Sequence, residues 1–310
     1  MNQSLKEIEI IFIDDASIDN SVLDIENLME KDKRIVYLKN KKNRGQFYSR
    51  NKAVLYSKGE YVLIVDPDDL LLNNILIKCY DMAIQYNLDI VQFYHLMGDY
   101  KENQLMIINT RSGLVFQPET NKLFFDFETR YLWDKLIRRS IFVKSIFFMK
   151  KRFRKERFAI HNDETACFGI FKSAFSYGQL EQIGYFYNRE ILNSTSKTNF
   201  LPENINGRFR SIFSIMDYYF EQSEDTIYEK TKGGYRFFEY RIVRRYENQI
   251  EFLTKGFKYI ISILNKYIKS PYFNQNQRNF LISFRDKIRI QRLNFKNNQS
   301  LYELNSEKFK

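Results

Sequence analysis

Two groups of carboxylates, each directly behind an apolar run, are the residues in this sequence best placed to do chemistry. Glu7–Ile13 (EIEIIFI) leads into Asp14 and Asp15, and Tyr61–Val65 (YVLIV) leads into Asp66, Asp68 and Asp69. Carboxylates this close repel one another unless protons or a cation offset the charge. Hard divalent ions such as Mg2+ and Mn2+ favour oxygen ligands of this kind. A plainer role is also open, in which Asp68 and Asp69 cap a helix starting near Leu70. Three further places carry candidate groups: Arg50 in Ser49-Arg50-Asn51, the single tryptophan Trp133 beside Lys135 in LWDKL, and the acidic pair Asp163-Glu164 behind His161-Asn162.

The elements that must position these groups follow from periodicity. Apolar runs without polar alternation read as strands buried on both faces of a sheet, which predicts strands at Glu7–Ile13, Arg34–Leu38, Tyr61–Val65 and Asp89–Tyr94. Helices are expected between them: one through Met29 capped by Ser17 or Asp19, one over Gln46–Ser57 entered through the turn at Gly45, and one over about Asn73–Tyr86. Strands alternating with helices imply right-handed crossovers and a mainly parallel sheet, an α/β class. In that geometry Asp15 and Asp68–Asp69 share the C-terminal edge of the sheet, where open α/β sheets bind ligands.

The rest of the chain sets bounds. Its 310 residues, 44% of them hydrophobic and 17% aromatic, suffice for one large domain or two smaller ones. No stretch approaches the roughly 18 apolar residues of a membrane-crossing helix. The N-terminal apolar run, interrupted by Glu9 and ended by two aspartates, does not read as a signal peptide. These features predict a cytoplasmic protein, or one peripheral on the cytosolic face of a membrane. Two cysteines and two histidines give little support to a disulfide framework, a zinc site or a histidine triad. Residues 199–207, with Pro202 and Gly207, read as a linker, residues 208–295 as a basic helical region, and residues 296–310 as a polar, frayed tail. Residues 201–310 hold 20 Lys and Arg against 12 Asp and Glu, most of the chain's net +11. Tyr235, Phe238 and Ile242, and again Leu281, Phe284 and Ile288, recur at helical spacing, each set beside arginines: Arg241, Arg244 and Arg245, then Arg285, Arg289 and Arg292. Solvated arginine faces account for this pattern. Docking on an anionic membrane is the sharper alternative. No nucleic-acid-binding motif is present, and no nucleic-acid partner is expected.

Five blocks in order, IEIIFIDDASIDNS, NRGQFYSRNKAVLYSKGEYVLIVDPDDLL, LWDKLIRRSIF, HNDETACF and IGYFYNREILNSTS, closely resemble the family 2 inverting glycosyltransferases of the GT-A fold. The resemblance spans roughly Asn2–Ser196, within a GT-A domain placed at residues 1–198. It implies a nucleotide-sugar donor, with a UDP-sugar favoured, a Mg2+ or Mn2+ ion, and a glycan or lipid-linked acceptor. By the same resemblance Asp15 contacts the donor base, Asp66 and Asp68 the ribose side, and Asp69 the metal. Arg50 either approaches the donor diphosphate or pairs with a rim carboxylate. The catalytic base is Asp163, or Glu164 if the alignment slips by one residue, and Asn162 stands where the family has Glu. Trp133 and Lys135 are candidates for the acceptor side, although a core tryptophan and a solvated lysine fit their surroundings equally. Family members also carry an earlier strand and loop ahead of the block matching Ile8–Asp15, and this sequence begins beyond them. Its absence predicts a sheet short of a central strand, and leaves an inactive, glycosyltransferase-like binding protein as the alternative. A haloacid-dehalogenase-type phosphatase ranks lower, because Leu70 departs from its motif and the aspartates follow the third strand rather than the first. A dinucleotide-binding oxidoreductase lacks its Gly-x-Gly-x-x-Gly turn.

Overall fold

The computed structural model describes residues 3–99, 104–108, 113–116, 123–124, 130–153, 162–188, 257–269, 274–279, 281–290 and 293. The chain divides into two compact units, Met1–Ser194 and Thr195–Lys310.

The first unit is an α/β fold. Its opening strand β1 (Ile10–Asp14) pairs in parallel with β2 (Ile35–Lys39) across the helix α1 (Ser21–Lys31). Helix α2 (Gln46–Tyr56) leads to β3 (Tyr61–Leu63). After β4 (Leu70–Leu71) come α3 (Ile75–Gln85), β5 (Ile90–Asp99), β6 (Gln104–Ile108), β7 (Leu114–Phe116) and β8 (Lys135–Arg138). Helices α4 (Arg139–Phe153) and α5 (Asn162–Ser173) precede the long strand β9 (Ser176–Asn188).

Among the described residues β1 and β2 form their own sheet, and the larger sheet runs in the order β3-β8-β5-β9-β4, with β6 on β5 and β7 on β9. β5 and β9 are parallel, while β8 lies antiparallel between β3 and β5, so β3, β5 and β9 share one direction. The side chain of Glu9, just before β1, ties the two sheets by accepting the Gly59 N–H at 3.0 Å.

The third strand is shorter than its apolar run predicts. Ile64 and Val65 leave the ladder, and Val65 is 45% exposed. β3 and β4 stand at opposite ends of the strand order, so residues 64–69 must turn out of β3 and cross the sheet. No helix starts at Leu70, which belongs to β4. The capping role of Asp68 and Asp69 therefore falls away, and the helix begins five residues later behind Asn74, in left-handed conformation at φ 65°.

The core lies between α3 and the larger sheet. Ile75, Cys79 and Ala83, one helical turn apart, face Leu88, Val91 and Phe93. Gly184 lets β9 approach this helix closely, since a Cβ there would fall 2.4 Å from Ile75 Cγ1 and 2.6 Å from Phe93. Arg138 fastens β8 from the side: its guanidinium bonds Asp89, Glu60 and Asn87 and lies 4.9 Å over the Tyr61 ring. In the second unit, helix α6 (Phe257–Ile268) and residues 281–290 are helical, with Leu264, Leu281, Phe284 and Ile288 buried. Arg285 donates to Asn265 at 3.1 Å and joins the two. The expected linker, the first arginine face with Tyr235, Phe238 and Ile242, Arg292 and the tail lie outside the described residues. Among the described residues no helix is long and apolar enough to cross a membrane.

Candidate active site

Asp15 follows directly on β1 and becomes the anchor of the loop ahead of α2. Its Oδ1 accepts Asn40 Nδ2 at 2.8 Å and the Arg44 N–H at 2.8 Å, and its Oδ2 accepts the Gly45 N–H at 2.6 Å. Gly45 sits at φ 85°, a backbone region that L side chains rarely adopt, which is why a glycine begins this helix. Burial disfavours the Asp15 charge, but the Arg44, Asn40 and Gly45 donors outweigh it and hold the carboxyl below its ordinary value. Asn40 also donates to Ser49 Oγ at 2.9 Å, which carries the connection from Asp15 onto α2.

The next residue of α2, Arg50, reaches the second cluster. Its Nη2 bonds Asp66 Oδ1 at 2.5 Å, and its Nη1 bonds Asp163 Oδ1. Asp66 lies on the crossing segment after β3, and Asp163 in the first turn of α5, so α2 gathers groups from three separate parts of the chain. The Arg50 side chain is 10% exposed, and those of Asp66 and Asp163 are 19% and 24% exposed, which places the carboxylates at a rim with the guanidinium beneath them. Burial works against the Arg50 charge, but Asp163 and Asp66 outweigh it and keep the guanidinium protonated. Burial pushes the Asp163 carboxyl above its ordinary value, Arg50 pulls against that, and the Asp66 charge adds to it.

Of the remaining carboxylates of this run, Asp68 faces solvent and Asp69 faces inward. Asp69 Oδ2 accepts Tyr185 OH at 2.8 Å and Oδ1 accepts the Asn188 N–H at 2.9 Å. Tyr185 OH in turn accepts the Asp66 N–H at 3.1 Å, so the end of β9 fixes the crossing segment. Burial raises the Asp69 carboxyl to about 6 against these two donors, with Asp68 and Asp66 adding repulsion. Asp69, to which the resemblance gives a metal-ligand role, is thus 8% exposed with a donor on each oxygen, whereas Asp68 is the exposed carboxylate of the run.

The acceptor-side assignments need correction. Trp133 is 2% exposed and stacks on Tyr131, Tyr185 and Tyr187 at centroid distances of 4.7, 4.6 and 5.7 Å, as part of the core. Lys135 is fully buried, bonded to Asp134 and to the Tyr131 carbonyl, because β8 is a central strand whose inward residues never meet solvent. Glu164, the alternative base, is 2% exposed and packs within α5, whereas Asp163 reaches the rim. The reading from sequence missed Tyr185 and Asn188, which orient Asp69, and Asn40, which links Asp15 to α2. Only the local block IGYFYNREILNSTS hinted at the first two, and a lone asparagine in a basic loop carries no signal of its own.

Among the described residues no group of three or more His, Cys, Asp or Glu side chains could hold a metal ion unaided. The exposed Asp68 carboxylate does fit an ion of the Mg2+ kind, which is commonly held by one or two carboxylates together with the phosphates of a substrate.

An α/β domain with carboxylates at one rim, brought together by one buried arginine, has the architecture of the GT-A transferases. S. aureus TarS 1–349, crystallised in complex with UDP-GlcNAc, superimposes with a TM-score of 0.68 at 13% identity, over 96% of this chain and 85% of that one. Residues 1–178 match the profile of Glycosyl transferase family 2, and the chain belongs to that family. Among curated relatives, the cholesterol galactosyltransferase of Borreliella burgdorferi is 34% identical over 157 residues, 47% of this chain and 44% of that protein. The GalNAc(5)-diNAcBac-PP-undecaprenol beta-1,3-glucosyltransferase of Campylobacter jejuni is 25% identical over 270 residues, 86% of this chain and 80% of that protein. The chain spans less than half the length of the first curated relatives it matches.

Proposed function

We propose that this protein transfers a sugar from a nucleotide-diphosphate sugar to an acceptor hydroxyl with inversion at the anomeric carbon. One observation carries the reading: Arg50 holds Asp66 and Asp163 side by side at the rim of a GT-A domain. The two carboxylates suit different tasks. Asp66 and Asp15 are the carboxylates to which the resemblance gives ribose and base. Asp163, partly exposed at the start of α5, is placed to accept the proton of an attacking hydroxyl. A raised carboxyl value strengthens it for that purpose, since a general base works best when its pKa approaches the working pH.

Inversion follows from a base on the face of the sugar opposite the leaving diphosphate. Asp68, exposed beside Asp66, would hold a Mg2+ or Mn2+ ion together with the diphosphate. Bound there, such an ion offsets the charge of the departing group. A UDP-sugar is the favoured donor, supported by the UDP-GlcNAc complex of TarS. A lipid-linked acceptor is supported by the undecaprenol-linked substrate in the name of the Campylobacter relative, and by the excess of basic residues beyond residue 200.

The test is calorimetric titration of UDP into the protein with and without Mn2+. Metal-dependent binding that Asp68→Asn abolishes and Asp69→Asn retains is expected. Metal-dependent binding lost only in Asp69→Asn overturns the assignment of Asp68, and a folded protein that binds neither UDP nor GDP overturns the transferase reading.

A further inference from the structure

The carboxylate assigned as base is already engaged. Arg50 Nη1 bonds Asp163 Oδ1 and Nη2 bonds Asp66 Oδ1 at 2.5 Å, partners 113 and 16 residues away in the chain. A guanidinium is a rigid planar fork, so its two terminal nitrogens sit at a fixed spacing and angle. One side chain therefore sets both the separation and the relative orientation of the two carboxylates. The fork itself has little freedom: Arg50 is 9% exposed, and its neighbour Ser49 is tied through Asn40 to Asp15. Asp163, by contrast, sits in the first turn of α5, and its side chain is the most exposed of the three.

We propose that Arg50 is a positioning residue for the base, holding the Asp163 carboxylate at the donor edge, and that it is not a ligand of the donor diphosphate. The proposal rests on the reading of Asp163 as the base. Among the described residues, the charged and titratable groups facing Asp163 are Arg50 from α2, Asp66 from the segment after β3, and Lys135 from β8, with the Cys167 thiol one turn further along α5. Burial pushes the Cys167 thiol far up and keeps it neutral. Among the described residues, removal of Arg50 leaves Asp163 facing the Asp66 charge and the Lys135 cation. A nearby opposite charge lowers a carboxyl by about 1–3 units, so its loss should raise Asp163 by a similar amount.

The experiment is a pH titration of the Asp163 side-chain carboxyl by 13C NMR, with the resonance assigned by its absence in Asp163→Asn. Wild type, Arg50→Lys and Arg50→Gln are compared. The expected midpoint rises by about one unit or more in Arg50→Gln and falls between the two in Arg50→Lys, which keeps the charge and loses the fork. In parallel, the expected affinity for UDP with Mn2+ is little changed. With a UDP-sugar that the wild type consumes, kcat is expected to fall at least tenfold at an unchanged donor KM, with the acid limb of the pH profile moving in step with the NMR midpoint. Should Arg50→Gln fail to fold by circular dichroism, Arg50→Lys alone carries the test. An Asp163 midpoint unmoved by either substitution overturns the proposal, as does loss of UDP affinity with the midpoint intact, which would make Arg50 a donor ligand. The titration reads the ion pair without any turnover, so a wild type that consumes no UDP-sugar counts separately, against the transferase reading.

Discussion

At the scale of single residues the three neighbouring aspartates have three different roles, and burial separates them. Asp66 is paired, Asp68 is solvated and Asp69 is locked behind β9. Asp163 and Glu164 diverge in the same way, one at the rim and one inside α5. Asp163→Asn is predicted to keep UDP affinity while lowering turnover roughly 10²–10⁴-fold, the usual worth of a general base. Glu164→Gln is predicted to act on stability first. Calorimetry beside a UDP-release assay would check both, and the opposite pattern would transfer the base to Glu164. Asp69 makes a different prediction. Its carboxyl is raised to about 6 in the folded state against about 3.9 unfolded, so the folded protein holds this proton more tightly. The stabilisation is fully present below the unfolded value and is lost as pH rises through about 6. Relative to Asp69→Asn, wild type should therefore lose about 2 kcal/mol between pH 4 and pH 7.5, measurable in urea melts at the two pH values. A difference independent of pH would show that Asp69 titrates normally.

At the scale of elements, α2 does most of the positioning. It starts behind a glycine whose N–H closes the Asp15 cradle, and its first two turns deliver Ser49 and Arg50 to two different clusters. Gly45→Ala forces a side chain into a backbone region at φ 85° that L residues rarely occupy, at an expected cost of about 1–3 kcal/mol. It should also weaken UDP binding, because the Asp15 loop moves with it. Thermal melts and UDP titration on the same variant would show whether the two losses occur together, and unchanged UDP binding would detach the Asp15 loop from the donor. The reading from sequence anticipated α2 and its glycine entry, because both are local. It did not anticipate that the third strand would stop at Leu63. An apolar run can supply strand residues or a crossing segment, and only the pairing of β4 with β9 chooses between them.

At the scale of the whole molecule the charge is unevenly spread along the chain. Net +11, with most of the excess beyond residue 200, favours an anionic partner. The prediction is co-sedimentation with vesicles containing phosphatidylglycerol at low ionic strength, and release near 0.5 M salt, where screening falls to a few ångströms. Equal sedimentation with neutral vesicles, or none with either, would remove the membrane from this account.

The sequence by itself determined the alternation of strands and helices up to β5, except for β4, the acidic groups that follow β1 and β3, and enough ordered blocks to identify the family, since each of these is written within a short window. The tertiary structure decided which acids are available. Asp69 is turned inward by a tyrosine 116 residues away, and Asp163 meets an arginine 113 residues away. Lys135 and Trp133, polar or amphipathic on paper, are enclosed because β8 lies between two neighbours in the sheet. Exposure and partnership are properties of residues distant in sequence that packing brings together, and local pattern does not encode them.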